Sequence, residues 1–217
     1  MYWCTNTFTL SSAGNTMRKK FLLGTGNPTK IEHYKSFLSD LNYDILTLND
    51  VSIADQPEET GKTFEENAVI KADYYYKKTG LPVIADDAGF EIPALNNFPG
   101  VLSGRFFGGK RLTDSEIIAG ILEKMKGLAG DERKGRFRVV IALKLSDTVI
   151  HTESGAIEGH VPETPLDKEA HHFPYRSLLF VDKLNKWFYD VTEEEEDRLG
   201  YRKAAVNKLM RILDNTV

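Results

Sequence analysis

Between Phe21 and Ala85, apolar runs of strand length alternate with stretches of helical period, and this alternation most narrows what the chain can become. Phe21-Leu22-Leu23 reads as a short buried strand that ends in the turn Gly24-Thr25-Gly26. Asn27 is then placed as an N-cap and Pro28 as the first residue of a helix. Its apolar positions Ile31, Tyr34, Phe37, Leu38 and Leu41 keep the helical period. Residues 43–48 read as a second strand and 49–61 as an acidic loop. Thr63 with Glu66 forms a capping box for a second helix, whose core face is Phe64, Ala68, Ala72 and Tyr75 and which Gly80 ends. Residues 81–85 form a strand bounded by Asp86-Asp87-Ala88-Gly89. Thr113 with Glu116 caps a third helix running to Lys126. Residues 136–145, 148–154 and 156–161 look like three successive strands, and an amphipathic helix using Ala205, Leu209 and Ile212 starts at Tyr201. Early alternation followed by clustered strands predicts an α/β protein with a mixed sheet rather than a purely parallel one.

The 217 residues suffice for one sizeable core, and 41% apolar with 28% charged residues is ordinary for a soluble protein. No apolar run reaches the ~20 residues of a membrane helix, so a membrane is not an expected partner. A net charge of −4 without a Lys/Arg stripe argues against a nucleic-acid polymer. A small phosphorylated ligand needs only a few local cations and a metal. The single cysteine, Cys4, rules out an internal disulfide and fits a reducing, cytoplasmic setting. Residues 1–16 lack the basic start and apolar middle of a signal peptide and read as a disordered leader, with Met17 a candidate start and 17–217 a single domain.

Three places could carry chemistry. In Thr25-Gly26-Asn27-Pro28-Thr29-Lys30, a helix N-terminus offers N–H groups to an anion and Gly26 permits close approach. Thr25, Asn27 and Lys30 add donors and charge, although the Gly spacing is not that of a Walker loop. Asp86-Asp87 is either a solvated turn or a pair of carboxylates whose repulsion a cation would relieve. Glu58-Glu59 is either a solvated acidic loop or a source of hard oxygen ligands for magnesium. The adjacent His171-His172 would face opposite ways on a strand, a poor metal geometry, and the Glu193–Glu196 run is most simply the solvated start of a short helix after Thr192.

Taken in order, Thr-Gly-Asn-Pro-Thr-Lys (25–30), Glu-Glu-Thr-Gly-Lys-Thr-Phe-Glu-Glu-Asn-Ala (58–68), Leu-Pro-Val-Ile-Ala-Asp-Asp-Ala-Gly (81–89) and Pro-Gly-Val-Leu-Ser-Gly-Arg (99–105) resemble the inosine triphosphate pyrophosphatase family. The match is dense from Phe21 to Phe107 and thinner through Val161. The resemblance implies an elongated mixed sheet flanked by helices, two lobes around a central cleft, and a homodimer. It also implies that Thr25, Gly26, Asn27 and Lys30 hold the triphosphate, Lys30 serving catalysis as well. Glu59, Asp86 and Asp87 would surround Mg2+, with Asp87 the base that activates water. The base-recognition half departs from the family. Phe173-Pro174-Tyr175-Arg176-Ser177 stands where the family has Phe-Gly-Tyr/Trp-Asp-Pro, so an acceptor becomes the donor Arg176. Gly200-Tyr201-Arg202 replaces Ser-His-Arg, Glu196 replaces a base-contacting Lys, and Ala88 replaces a Ser. Phe173, Tyr175, Arg176, Tyr201 and Arg202 remain the expected base-side contacts, with Ala88 beside the phosphates.

The expectation is thus a magnesium-dependent pyrophosphohydrolase of nucleoside triphosphates, the resemblance implying non-standard purines such as inosine or xanthosine triphosphate and the departures an altered or relaxed base choice. Pyrophosphatases of modified pyrimidine nucleotides and a nucleotide-binding regulatory module without turnover stay open as alternatives. A haloacid-type phosphatase fits less well, because its nucleophilic Asp should follow the first strand, where Gly24-Thr25-Gly26 stands.

Overall fold

A computed structural model describes residues 19–39, 42–104, 112–168 and 173–216. The leader 1–16 with Cys4, Met17, Leu41, Arg105 and His171-His172 lie outside the described residues. The chain runs β1 (Lys19–Leu23), α1 (Pro28–Phe37), β2 (Tyr43–Leu46), α2 (Phe64–Thr79), β3 (Val83–Ile92), β4 (Phe98–Pro99), α3 (Asp114–Lys124), β5 (Lys134–Lys144) and β6 (Ile150–His160). It continues through α4 (Tyr175–Leu178), β7 (Phe180–Val181), β8 (Lys186–Trp187), α5 (Glu193–Arg198) and α6 (Arg202–Thr216). One eight-stranded sheet has the order β2-β1-β3-β5-β6-β7-β8, with β4 on β3. β1 pairs in parallel with β2 and β3, and every later pairing is antiparallel. The expected mixed α/β sheet flanked by helices is present.

Strand alternation sorts side chains onto two faces. Phe21, Leu23, Ile84, Phe90, Val139 and Ile141 join the larger core with Tyr34 of α1, Ile121 of α3 and Leu209 of α6. Leu22, Val83, Ala85, Val140 and Ala142 join a smaller core with Phe64, Ala68, Ala72 and Tyr75, the face expected of α2. The capping boxes at Thr63 and Thr113 form as the sequence indicates, and Gly80 closes α2 in the left-handed region at φ 67°. Each such cap stabilises its helix by roughly 1 kcal/mol. Lys144 to Asp73 at 2.8 Å, and Arg138 to Glu65, tie α2 to the sheet at its rim.

Two of the boundaries that differ from the sequence reading bear on the site. The third strand does not stop before Asp86: β3 continues to Ile92, because antiparallel pairing with β5 carries the ladder through Glu91. The expected strands 148–154 and 156–161 are the single strand β6, with Gly155 inside it. Gly155 marks a close approach rather than a break. A Cβ there would lie 1.8 Å from the carbonyl oxygen of Tyr201, where the chain enters α6. Among the described residues no helix is long and apolar enough to cross a membrane.

Gly155→Ala therefore cannot be absorbed by a rotamer change, since the obstacle is backbone. It should destabilise the protein by about 3 kcal/mol in urea unfolding. A loss below about 1 kcal/mol would show that α6 can withdraw from the sheet at little cost.

Candidate active site

The first layer of the site is backbone. β1 ends at Leu23 and is followed by Gly24, whose N–H donates to the Ile84 carbonyl at 2.7 Å and whose α-carbon leaves no room for a side chain, a Cβ lying 2.8 Å from the Tyr75 ring. The chain then turns into α1, with Asn27 Oδ1 accepting from the Lys30 N–H at 3.2 Å and the Asn27 N–H donating to Thr25 Oγ1 at 3.2 Å. Thr25, Gly26, Asn27 and Lys30 line one cleft of about 450 Å³ together with Glu59, Lys71, Asp87 and Ala88. A Cβ at Gly26 would meet nothing, so the loop is open where a ligand would approach.

The two aspartates make their ion pairs with different cations. Lying side by side within β3, they point to opposite faces of the sheet. Asp87 joins Glu59 on the α2 side, and both face Lys71 Nζ, Glu59 Oε1 at 3.0 Å and Asp87 Oδ1 at 3.5 Å. Asn67, wholly buried on α2, donates through Nδ2 to Asp87 Oδ2 at 2.9 Å while its Oδ1 accepts from the Gly61 N–H at 2.8 Å. The carboxylate is thereby fixed in orientation. Burial pushes the Asp87 carboxyl above the usual range, outweighing the pull of Lys71 and Asn67. Burial works against the charge of Lys71, but Asp87, Asp86 and Glu59 prevail and hold its pKa above the ordinary value.

Asp86 lies on the other face, its side chain fully buried, with Lys30 Nζ at 3.0 Å from Oδ2 and Arg202 Nη2 at 3.9 Å. Burial alone would raise its pKa, but Lys30, Arg202 and Lys71 hold it below the ordinary value. The expected grouping of Asp86 with Glu59 and Asp87 around one metal is thus not what the structure brings together. Among the described residues no group of three or more His, Cys, Asp or Glu side chains is placed to hold a metal. Glu59 and Asp87 both meet the Lys71 ammonium and line one cleft, and two such carboxylates fit an ion completed by phosphate oxygens. Glu58 is exposed and does not line this cleft.

A second cavity of about 550 Å³ shares Asn27, Lys30 and Ala88 with the first and is lined by Phe173, Arg176, Tyr201 and Arg202. Tyr175 departs from expectation. It is a core residue, stacked on Phe90 at 5.2 Å with its hydroxyl donating to the Ser103 carbonyl at 3.0 Å. α4 is a single turn, so Arg176 and Tyr175 leave it in different directions. Arg202 Nη1 donates to His33 Nδ1 at 3.3 Å, which leaves His33 Nε2 as the donor to Glu193 Oε1 at 2.8 Å. The Tyr201 hydroxyl and Arg202 Nε are buried without a hydrogen-bond partner.

Sequence reasoning passed over Asn67, Lys71 and His33. The signal for the first two was present: polar residues at the i, i+4 spacing between the apolar positions Phe64, Ala68, Ala72 and Tyr75, where a helix facing a sheet should be apolar.

The sequence profile of the Ham1 family matches residues 21–212. A dITP/XTP pyrophosphatase of Thermus thermophilus is 40% identical over 191 residues, covering 88% of this chain and 90% of the relative. The protein of the same name from Bacillus subtilis strain 168 is 33% identical over 196 residues, covering 90% and 98%. A HAM1 protein structure from Coxiella burnetii superposes with a TM-score of 0.80 at 32% identity, covering 91% of this chain and all of that one.

Asp86→Asn leaves Lys30 and Arg202 without their buried counter-charge. It should cost about 3 kcal/mol near neutral pH. Because the native pKa of Asp86 is depressed, its contribution is complete above the unfolded-state pKa and is lost as pH falls through the native one. The gap between wild type and variant in urea unfolding should therefore close in acid. A gap independent of pH would remove the electrostatic account.

Proposed function

The chain belongs to the Ham1 family, and we propose that it hydrolyses non-standard purine nucleoside triphosphates to the monophosphate and pyrophosphate in a magnesium-dependent reaction. The observation that carries this reading is the meeting of Glu59 and Asp87 at Lys71 Nζ in the cleft headed by the N-terminus of α1. The names of the relatives, dITP/XTP pyrophosphatases, support the same substrate class.

Glu59 and Asp87 are the residues that would hold magnesium, which supplies charge neutralisation on the phosphate oxygens. The N–H groups at the start of α1, with Thr25, Asn27 and Lys30, bind the triphosphate. Lys30 is held by Asp86 from behind, so that its ammonium stays at the cleft wall. Asp86 acts in this reading as the anchor of Lys30 and Arg202, not as a metal ligand. Asp87, oriented by Asn67, takes a proton from water as the water oxygen bonds to the α-phosphorus. The bond from that phosphorus to the α–β bridging oxygen breaks, and pyrophosphate leaves with the electron pair. The same reading takes the enzyme as a cytoplasmic homodimer, in keeping with the family resemblance and the single cysteine.

Pyrophosphate release measured across ordinary and deaminated triphosphates tests the proposal. Release should require magnesium, and Asp87→Asn should lower kcat by roughly 10²–10⁴-fold. Nucleotide binding without release under any condition would instead leave a binding module. Release that survives Asp87→Asn would remove Asp87 as the base.

A further inference from the structure

Asp86 is charged, fully buried and short of hydrogen bonds. Lys30 Nζ lies 3.0 Å from its Oδ2 and Arg202 Nη2 3.9 Å, yet neither carboxylate oxygen has a hydrogen-bond partner of normal geometry among the described residues. Tyr34 follows Lys30 by one turn of α1, so the two side chains leave the helix on the same face. Its ring belongs to the larger core, and the Arg202 guanidinium lies 6.0 Å over it. Its hydroxyl is buried and likewise without a partner among the described residues. Burial first, and then the Asp86 charge, push the pKa of that hydroxyl well above the ordinary value, so it stays protonated and can donate. Tyr34 lines neither cavity. A buried hydroxyl left unpaired opposes folding, and phenylalanine would fill the same space without that cost.

Lys30 answers two demands. It faces both cavities, and its ammonium also compensates Asp86. A triphosphate sets several negative charges against the one on Asp86, so bound phosphates turn the Lys30 donors toward the cleft. Asp86 is then a buried carboxylate that has lost part of its compensation, and this loss subtracts from phosphate binding. A donor that is idle in the free protein and lies beside Asp86 removes the penalty. The Tyr201 hydroxyl, also unpartnered, is placed for other work: Glu196 acts on it more strongly than Asp86 does, and Tyr201 lines the second cavity.

We infer that Tyr34 is a positioning residue whose hydroxyl donates to Asp86 when Lys30 turns to the phosphates, so that binding at Lys30 does not leave a buried carboxylate uncompensated. The inference rests on the triphosphate reading of the first cleft, which supplies the anion that draws on Lys30.

The test is Tyr34→Phe, which keeps the ring and removes the hydroxyl. The free protein loses no bond of normal geometry, so its midpoint in urea should stay or rise. Affinity for inorganic tripolyphosphate with magnesium, measured by calorimetry, should fall about tenfold or more, as expected for one hydrogen bond to a charged group. The same change made in Lys30→Met should lower the urea midpoint, because there the hydroxyl already serves Asp86. Lys30→Gln takes the place of Lys30→Met if that variant does not fold. A lower midpoint for Tyr34→Phe alone means a hydroxyl already bonded in the free protein, a structural role, and overturns the inference. Unchanged tripolyphosphate affinity overturns it too. Should the wild type bind no tripolyphosphate, the triphosphate reading fails by itself. The urea comparison then decides the exchange at Asp86, a loss confined to the Lys30 variant upholding it and equal effects in both backgrounds overturning it.

Discussion

Two adjacent carboxylates in the middle of a strand must point to opposite faces, and the site is arranged around that fact. Asp86 enters the face packed by α1 and α6, and Asp87 the face packed by α2. A buried carboxylate without compensation would oppose folding, so each face brings its own cations: Lys30 and Arg202 to one, Lys71 to the other. Helices that contribute to different cores are in this way committed to one strand. The two cavities meet over it, with Ala88, the next residue, lining both.

The two faces are compensated to different degrees. Asp86 is paired with Lys30 and Arg202 and its pKa is held down, while Asp87 and Glu59 both meet Lys71, and burial still pushes Asp87 upward. The first arrangement is buried and balanced by cations, although both Asp86 oxygens are buried without a hydrogen-bond partner. The second lies on the side that opens to the cleft. Proteins commonly concentrate such perturbed groups at functional sites. The contrast between neighbouring residues separates the two roles more clearly than either pKa direction does alone.

Much of this was legible in the chain. Asn27-Pro28, Thr63 with Glu66, Thr113 with Glu116 and Gly80 act through local hydrogen bonds and backbone preference, and each forms where the sequence places it. The ordered motifs singled out Thr25, Asn27, Lys30, Glu59 and Asp87, and these five line one cleft. What misled was non-local. Asp-Asp-Ala-Gly has the composition of a turn, yet the β5 ladder draws it into a strand, and with that the partners of Asp86 change. Gly155 looks like a strand break, whereas its partner is a carbonyl far along the chain. Tyr175 sits in a motif expected to meet the base, but one turn of helix aims it at Phe90. Lys71 carried a readable signal, a cation on an apolar helix face. Its partners, from the 49–61 loop and from β3, could be paired with it only in three dimensions.

The cations that face Asp86 come from near the two ends of the described chain, one on α1 and the other at the first residue of α6. This bears on the order of assembly. A nascent chain that has emerged as far as β6 already possesses the central strands, both apolar surfaces around β3 and the Lys30 anchor, but α6 has yet to arrive. The middle of its sheet would hold a carboxylate with half its intended company, and the cavity beside it would lack a wall. Contacts so distant in sequence form late, because the loop they close is long. A helix made after the sheet thus completes the electrostatics of a strand made long before it, and the competence of the site becomes a report that both have come together.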